Sequence, residues 1–124
     1  VFACTSVWYF TIALMNHNTN SSVDASIREA ARDWGERQLL SCSDFGTGLS
    51  FLASVPYLWL NYHTVHHLFP GIDMSHHPSI QNIVLQTAKE FNIQYETMPV
   101  YDALLEMVHN FANQPEFYLK QITT

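Results

Sequence analysis

The chain has 124 residues, of which 48% are hydrophobic and 13% are charged, and its formal net charge is −6. Only five residues are Lys or Arg, so no basic stripe can follow a phosphate backbone, which argues against nucleic acid as a partner. Charged residues lie well below the ~25% that is usual for soluble domains, while aromatic residues reach 14%. This balance is typical of a protein that meets both water and an apolar phase. The chain opens on Val1, and we expect it to be a piece of a longer protein.

The first predicted element is an uncharged apolar segment, Val1 to Met15. A helix needs about 20 residues to cross a hydrocarbon core of ~30 Å, so this segment is too short as it stands. We interpret residues 1–16 as the end of a transmembrane helix, after which Asn16-His17-Asn18 enters water. A buried core helix or strand is the alternative.

The next predicted element is an amphipathic helix that begins at Asp24 and ends near Leu40. Its apolar side contains Ile27, Ala30, Ala31 and Trp34. A turn-rich stretch follows, and Leu49 to Leu60 is again apolar but is interrupted by Pro56. This run is too short to span a bilayer, and we expect it to lie at the membrane interface or under a metal site.

Two further helices are predicted in the last third of the chain, after the helix-breaking pair Pro70-Gly71. The first starts near Pro78, with apolar positions at Ile80, Ile83, Val84, Ala88 and Phe91. The second runs from near Pro99 to Pro115, with apolar positions at Leu104, Leu105, Val108 and Phe111. A short extended link, residues 92–98, should join the two helices.

Three histidines, His63, His66 and His67, have the spacing i, i+3 and i+4 that places side chains on one side of a helix. Imidazole is a common ligand of iron, copper and zinc. There is no H-E-x-x-H pattern and no suitably spaced Cys pair, which argues against the usual zinc sites and favours redox iron or copper. Three imidazoles do not complete a dinuclear site, and His17 is the best local candidate for a further ligand.

The remaining histidines, His76, His77 and His109, match no ligand pattern, and we expect them to have no ligand role. Asp33 and Asp44 are candidates to accept hydrogen bonds from metal-bound imidazoles. The two cysteines, Cys4 and Cys42, are too few and too far apart in sequence for a disulfide scaffold, and we expect two free thiols.

The segment Asn61 to Pro70 (NYHTVHHLFP) resembles the third histidine box of membrane fatty acid desaturases. Asn16-His17-Asn18 resembles a short motif at the end of a late transmembrane helix in that family. The segment from Asp33 to Gln38 resembles a stretch that precedes the box, and the tail from Pro78 onward is similar to the amphipathic end of acyl-lipid desaturases. The resemblance covers nearly the whole chain.

The resemblance implies an all-α chain, the C-terminal part of a four-helix transmembrane desaturase. Residues 1–16 would end a transmembrane helix, and residues 17–124 would form a cytosolic cap. His17, His63, His66 and His67 would ligate a centre of two irons, which uses dioxygen to introduce a double bond into the acyl chain of an acyl lipid or acyl-CoA. Cytochrome b5 or ferredoxin would supply electrons. The location would be multi-pass in a membrane, the endoplasmic reticulum if the organism is eukaryotic.

The sequence departs from the pattern of this family in two ways, and other interpretations of its function remain open. The family's other two histidine boxes do not precede this one here, so we expect the chain to begin after them and to be inactive alone. Many front-end desaturases have Gln at the position of His63, which argues against that positional class. A lipid hydroxylase of the same superfamily and a noncatalytic metal-binding domain are the competing interpretations.

Overall fold

The computed structural model describes residues 2–19, 29–50 and 52–122, and most of this part of the chain is helical. Its α-helices are α1 (Phe2–His17), α2 (Trp34–Leu40), α3 (His63–Leu68), α4 (His77–Glu90) and α5 (Val100–Ile122). Short 3-10 helices form at Leu52–Tyr57, Leu60–Tyr62 and Met74–His76, and two-residue strands form at β1 (Asp44–Phe45) and β2 (Thr97–Met98). The predicted helical class is therefore confirmed, apart from this small sheet.

The two strands are parallel, with Asp44 opposite Thr97 and Phe45 opposite Met98. The amide of Asp44 donates to the carbonyl of Glu96 at 3.0 Å. Because the link between α4 and α5 is extended, its backbone groups need partners outside a helix, and the segment after α2 supplies them. The sheet fixes Asp44 in the interior, close to the start of α3.

One hydrophobic core lies where α1, β1 and α5 meet. Its buried members are Ile12, Met15, Phe45, Leu60, Ala103 and Met107. Side-chain amides tie the same elements together, because Asn18 Nδ2 donates to the Met107 carbonyl at 3.2 Å and Asn110 Nδ2 donates to the Asn18 carbonyl at 2.8 Å. The end of α1 is thereby held against α5.

A second core joins α2, α3 and α4 through the buried side chains of Leu39, Val65 and Val84. The apolar side chains of Leu68, Ile80, Ile93 and Tyr95 pack around it. Because Val65 packs into this core, the histidines of α3 lie on the other side of the helix.

No helix in the described part of the chain is both long enough and apolar enough to cross a membrane. Several large apolar side chains of α1 are nevertheless exposed, namely Phe2, Val7, Trp8, Tyr9 and Phe10. The assignment of residues 1–16 to the end of a transmembrane helix stays a prediction.

The predicted helix from Asp24 to Leu40 ends at Leu40 as expected, but residues 30–33 are not helical and interrupt it, and its predicted start lies outside the described residues. Asp33 is extended, with φ −149° and ψ −179°, and its carboxylate accepts from the Glu36 amide at 2.8 Å. Asp33 is thus the N-cap of a shorter helix, because its side chain satisfies an amide that has no partner within the helix.

The buried side of α4 differs from the predicted one. His77, Gln81, Val84 and Ala88 are buried, whereas Ile83 and Phe91 are exposed. The two exposed apolar residues line an open groove of about 640 Å³ between α2, α3 and α4. Gln81 turns inward because its amide meets the buried carboxylate of Asp44.

The prediction for α5 is also wrong in two respects. The helix continues past Pro115 to Ile122, and between residues 100 and 113 its buried residues are Ala103 and Met107. The four predicted apolar positions are exposed: Leu104, Leu105, Val108 and Phe111. The side of α5 that packs on α1 is set by small or flexible residues, which allow the helices to approach closely.

Candidate metal centre

The chain enters α3 through an unusual backbone reversal at Leu58 and Trp59, whose φ angles are +54° and +55°. Left-handed conformations are unfavourable for non-glycine residues, so surrounding contacts must hold them. Immediately upstream, the Pro56 carbonyl accepts from Trp8 Nε1 of α1 at 2.8 Å. The reversal directs Leu60–Tyr62 into α3 and brings His63 beneath the end of α1.

A buried carboxylate holds the first turn of α3. Asp44 Oδ1 accepts from the Thr64 amide at 2.8 Å, while Oδ2 accepts from Gln81 Nε2 at 3.4 Å and from the hydroxyl of Tyr95. Asp44 is fully buried, and this burial raises its pKa although the hydrogen bonds oppose the rise. The carboxylate thus links the starts of α3 and α4, but no hydrogen bond joins it to an imidazole among the described residues.

Three imidazoles from α1 and α3 meet beneath this turn. His63 Nε2 lies 2.8 Å from His17 Nε2 and 3.0 Å from His67 Nε2. The ligand atoms of all three residues lie within 4.8 Å of one another. Around an ion with metal–nitrogen distances of about 2.1 Å, neighbouring ligands lie about 3.0 Å apart in octahedral and about 3.4 Å apart in tetrahedral geometry. The spacing of the three nitrogens suits a shared metal ion.

The outer nitrogens of two of these rings have acceptors. His67 Nδ1 lies 3.0 Å from Gln38 Oε1, and His17 Nδ1 lies 3.4 Å from the Ser41 carbonyl. Each acceptor favours the tautomer with a proton on Nδ1, and that tautomer presents a lone pair at Nε2. His63 Nε2 can donate to only one of these two lone pairs, whereas a cation would bind all three Nε2 atoms. Nδ1 of His63 is buried without a hydrogen-bond partner among the described residues. The donor set therefore fits a metal.

Burial keeps these imidazoles neutral. It lowers the pKa of His63 to about 2, with further contributions from the neighbouring His17 and His67. It lowers the pKa of His67 to about 4, and that of His17 as well, against the opposing effect of the Ser41 carbonyl. Neutral imidazole is the form that binds metals, so at neutral pH the three rings need not lose a proton first.

The fourth predicted site residue, His66, lies beside this group. Its ring centroid is 5.8 Å from that of His63 and 6.2 Å from that of His67, and its nitrogens do not belong to the convergent set. On its other side, the ring of His77 lies at 6.1 Å. The i+3 position lies at one edge of the arc of about 100° that the i, i+3 and i+4 positions share, and its ring lies beside His77.

The three remaining histidines differ in their exposure to solvent. His76 is exposed, and His109 is exposed on α5, where its Nε2 lies 2.8 Å from Asn113 Nδ2. His77, in contrast, is fully buried, and neither ring nitrogen has a hydrogen-bond partner among the described residues. Burial lowers the pKa of His77, and an interaction with the backbone of Ile72 partly opposes this.

The sequence did not predict the contacts that Gln38 and Ser41 make with the imidazoles of His67 and His17, or the burial of His77. Gln38 stood within the segment that resembles a family motif, which was the available signal. Ser41 acts through its carbonyl, which no side-chain pattern can reveal. Both cysteines are free, Cys42 is buried, and its burial raises the thiol pKa to about 12, so it is neither a thiolate ligand nor a reactive group.

The fold and the candidate site define a helical protein in which two further imidazoles converge on the buried His63. The sequence profile described as Fatty acid desaturase matches residues 1–99. The chain belongs to the fatty acid desaturase family.

Similar proteins carry desaturase names. The chain is 32% identical to a Delta(5) fatty acid desaturase A of Dictyostelium discoideum over 74% of its length, and 33% identical to a chloroplastic acyl-lipid (7-3)-desaturase of Chlamydomonas reinhardtii over 84%. It is 30% identical to an sn-1 linoleoyl-lipid 6-desaturase of Synechocystis over 59%. These alignments cover 20%, 18% and 20% of the three relatives, so the chain spans about a fifth of their length. No solved structure matches the chain.

Proposed function

We propose that the complete protein is a membrane fatty acyl desaturase, and that His17, His63, His66 and His67 of this chain ligate its two irons. The observation that carries the proposal is the convergence of three Nε2 atoms, at 2.8 Å and 3.0 Å, in a member of this family. A cluster of neutral imidazoles with no carboxylate among its ligand atoms suits a redox metal.

The geometry supports a division of the four ligands between two ions. His17, His63 and His67 form one set, and we assign His66 to the other ion because its nitrogens do not belong to the convergent set. Neither set completes a coordination sphere, so further ligands would come from parts of the protein outside this chain. When bound, the two irons would supply the activation of dioxygen and the removal of two hydrogens from an acyl chain.

The chain's own residues would orient the ligands. Gln38 and Ser41 hold the protons of His67 and His17 on Nδ1 and thereby direct the Nε2 lone pairs inward. Such outer partners fix the tautomer and ring orientation of metal-bound histidines. Burial of His63 excludes water from the inner side of the group.

The substrate class is an acyl chain carried by a lipid or by coenzyme A. The relatives' names place their reactions at different bonds, (7-3) in one case and 6 in another, so the bond position does not follow from the similarity. The exposed apolar side chains of α1, among them Phe2 at 91% and Phe10 at 60%, support contact with a membrane. Cytochrome b5 or ferredoxin would be the electron donor.

Product analysis tests the reaction. Cells that express the complete protein should accumulate acyl chains with one additional double bond, measured by mass spectrometry of their fatty acids, and a His63→Ala variant should not. A hydroxylated product without a new double bond would favour the hydroxylase of the same superfamily. If neither product forms although the purified protein contains iron, a noncatalytic metal-binding role would replace the proposal.

A further inference from the structure

One histidine that matches no ligand pattern lies in an environment that a purely structural role does not explain. His77 begins α4, it is 0% exposed, and neither ring nitrogen makes a hydrogen bond of good geometry among the described residues. The one backbone group that acts on the ring is that of Ile72, which leaves at least one ring nitrogen without a partner there. Buried polar groups are nearly always satisfied, because burying one without a partner is unfavourable. Because the ring of His77 is closed off from solvent, a partner for its unpaired nitrogen must be small enough to fit in the interior, as a metal ion is.

The nearest histidine of the metal centre is His66. The two ring centroids lie 6.1 Å apart at an interplanar angle of 45°. An imidazole bound through nitrogen places its centroid about 3.2 Å from the ion, so two rings on one ion are separated by about 4.5 Å at right angles and about 6.4 Å when opposite. The observed separation lies within that interval, near its upper end, and so it permits a shared ion. The centroids of His63 and His67 lie at similar distances from His66, and it is the position of its nitrogens that leaves His66 outside their group.

The two histidines are also held in fixed relation to each other. The carboxylate of Asp44 accepts from the Thr64 amide at the start of α3 and from Gln81 of α4. His66 lies two residues beyond Thr64, and His77 lies one helical turn before Gln81. One buried carboxylate therefore bridges the two helices that carry these rings, which supports a preorganised site.

From these observations we propose that His77 is a further metal ligand, and that it shares with His66 the second ion of the centre. The proposal rests on the proposed function, since it assumes a centre of two metals. It divides the chain's imidazoles into a set of three (His17, His63, His67) and a set of two (His66, His77). It also extends the ligand set beyond the histidine box into the helix that follows it.

The test compares two phenylalanine variants of the complete protein. His77→Phe keeps a ring of similar size but removes the nitrogens, and His76→Phe is the matched control, because His76 is the exposed neighbour. Each protein is purified, loaded with ferrous iron and analysed for iron per chain. We expect His77→Phe to lose about half of the bound iron or to bind it at least about tenfold more weakly, and His76→Phe to equal the wild type.

A double variant separates ligation from packing. If His66 and His77 hold the same ion, His66→Phe/His77→Phe should lose no more iron than either single variant. If His77 is only a core ring, His77→Phe should keep the full iron content and unfold at the same or a higher temperature, because an unpaired polar group has been removed. That result would overturn the inference.

A measurement on the wild type covers the case in which the variants do not fold. In crystals of the iron-loaded protein, an anomalous difference peak within bonding distance of both His66 and His77 supports the inference, and a peak that His77 does not reach overturns it. Failure of the inference differs from failure of the proposed function. In the former, the wild type binds two irons and His77→Phe keeps both, whereas in the latter the wild type binds none at His17, His63 and His67.

Discussion

The Nε2 atoms of His17 and His63 lie 2.8 Å apart, although 46 residues separate them in the sequence. The contact joins the end of α1 to the start of α3. It depends on the segment between them, where the Ser43 amide donates to the Asn16 carbonyl at 2.9 Å and Asp44 accepts from the Thr64 amide. The candidate metal centre is therefore a tertiary feature, and the segment His63 to His67 supplies only part of it.

His66→Ala should abolish turnover of the complete enzyme and lower its iron content, because it removes a proposed ligand of the second iron. The imidazoles of His17, His63 and His67 converge on one another and are not available to replace it. His109→Ala is the control, since His109 is exposed on α5. Desaturated product and iron are measured on the same preparations. A His66→Ala enzyme with full activity would refute the ligand role.

Gln38→Ala should weaken iron binding about 10-fold to 100-fold, the usual effect of removing an acceptor from a metal-bound histidine. The ring of His67 would lose the acceptor at 3.0 Å that fixes its tautomer. Gln38→Glu keeps an acceptor and should retain most of the affinity, while Gln86→Ala, at an exposed position of α4, should change nothing. Equal affinities for Gln38→Ala and wild type, measured by competition with a chelator, would contradict the assignment.

The stability contribution of Asp44 should depend on pH in a defined direction. Burial raises its pKa above the ordinary value of 3.8. For an acid with a raised folded-state pKa, the stabilisation is fully present below the unfolded pKa and is lost as the pH rises through the folded pKa. The free energy of unfolding of the wild type, relative to Asp44→Asn, should thus be largest below about pH 4 and decrease above it.

Asp73 provides a control of opposite sign. Hydrogen bonds from the hydroxyl and amide of Ser75 lower the pKa of this exposed carboxylate. Its contribution should be present above the unfolded pKa and be lost as the pH falls, so the difference between wild type and Asp73→Asn should run the other way. A difference for Asp44→Asn that grows with pH would show that the hydrogen bonds outweigh burial at Asp44.

Gly46→Ala should destabilise the protein by about 1–3 kcal/mol. Gly46 follows β1 with φ +56°, and an added Cβ would lie 2.7 Å from Val100 Cγ2 at the start of α5. Gly71→Ala is the matched control, because its Cβ would meet nothing within 4 Å. Chemical unfolding of both variants measures the difference, and equal stabilities would contradict the close approach at Gly46.

The sequence allowed the helical class and most helix positions to be predicted, but not which helix sides are buried. Periodicity placed helices near α4 and α5, yet Gln81 is buried and Leu105 is exposed. Hydrophobic periodicity assumes that apolar residues face one core. In α4, Gln81 is buried because it donates a hydrogen bond to the interior carboxylate of Asp44. In α5, the apolar residues are exposed in the described part of the chain, so periodicity does not identify the buried side of either helix.

The candidate site was predicted in part for a similar reason. Helical spacing correctly brings His63 and His67 together, and the short motif at the end of α1 correctly indicated His17 as their neighbour. Spacing alone placed His66 in the same group, because an arc of i, i+3 and i+4 does not distinguish one ion from two. The burial of His77 and its proximity to His66 could not be predicted, since both depend on how α4 packs on α3.

The central claim is that His17, His63 and His67 hold one iron through Nε2. Crystals of the iron-loaded complete protein, measured at the iron absorption edge, test it most directly. The account predicts an anomalous difference peak about 2.1 Å from all three Nε2 atoms, with the Nδ1 atoms of His67 and His17 still facing Gln38 and Ser41. Iron bound elsewhere, with these three imidazoles joined only by hydrogen bonds or water, would contradict it.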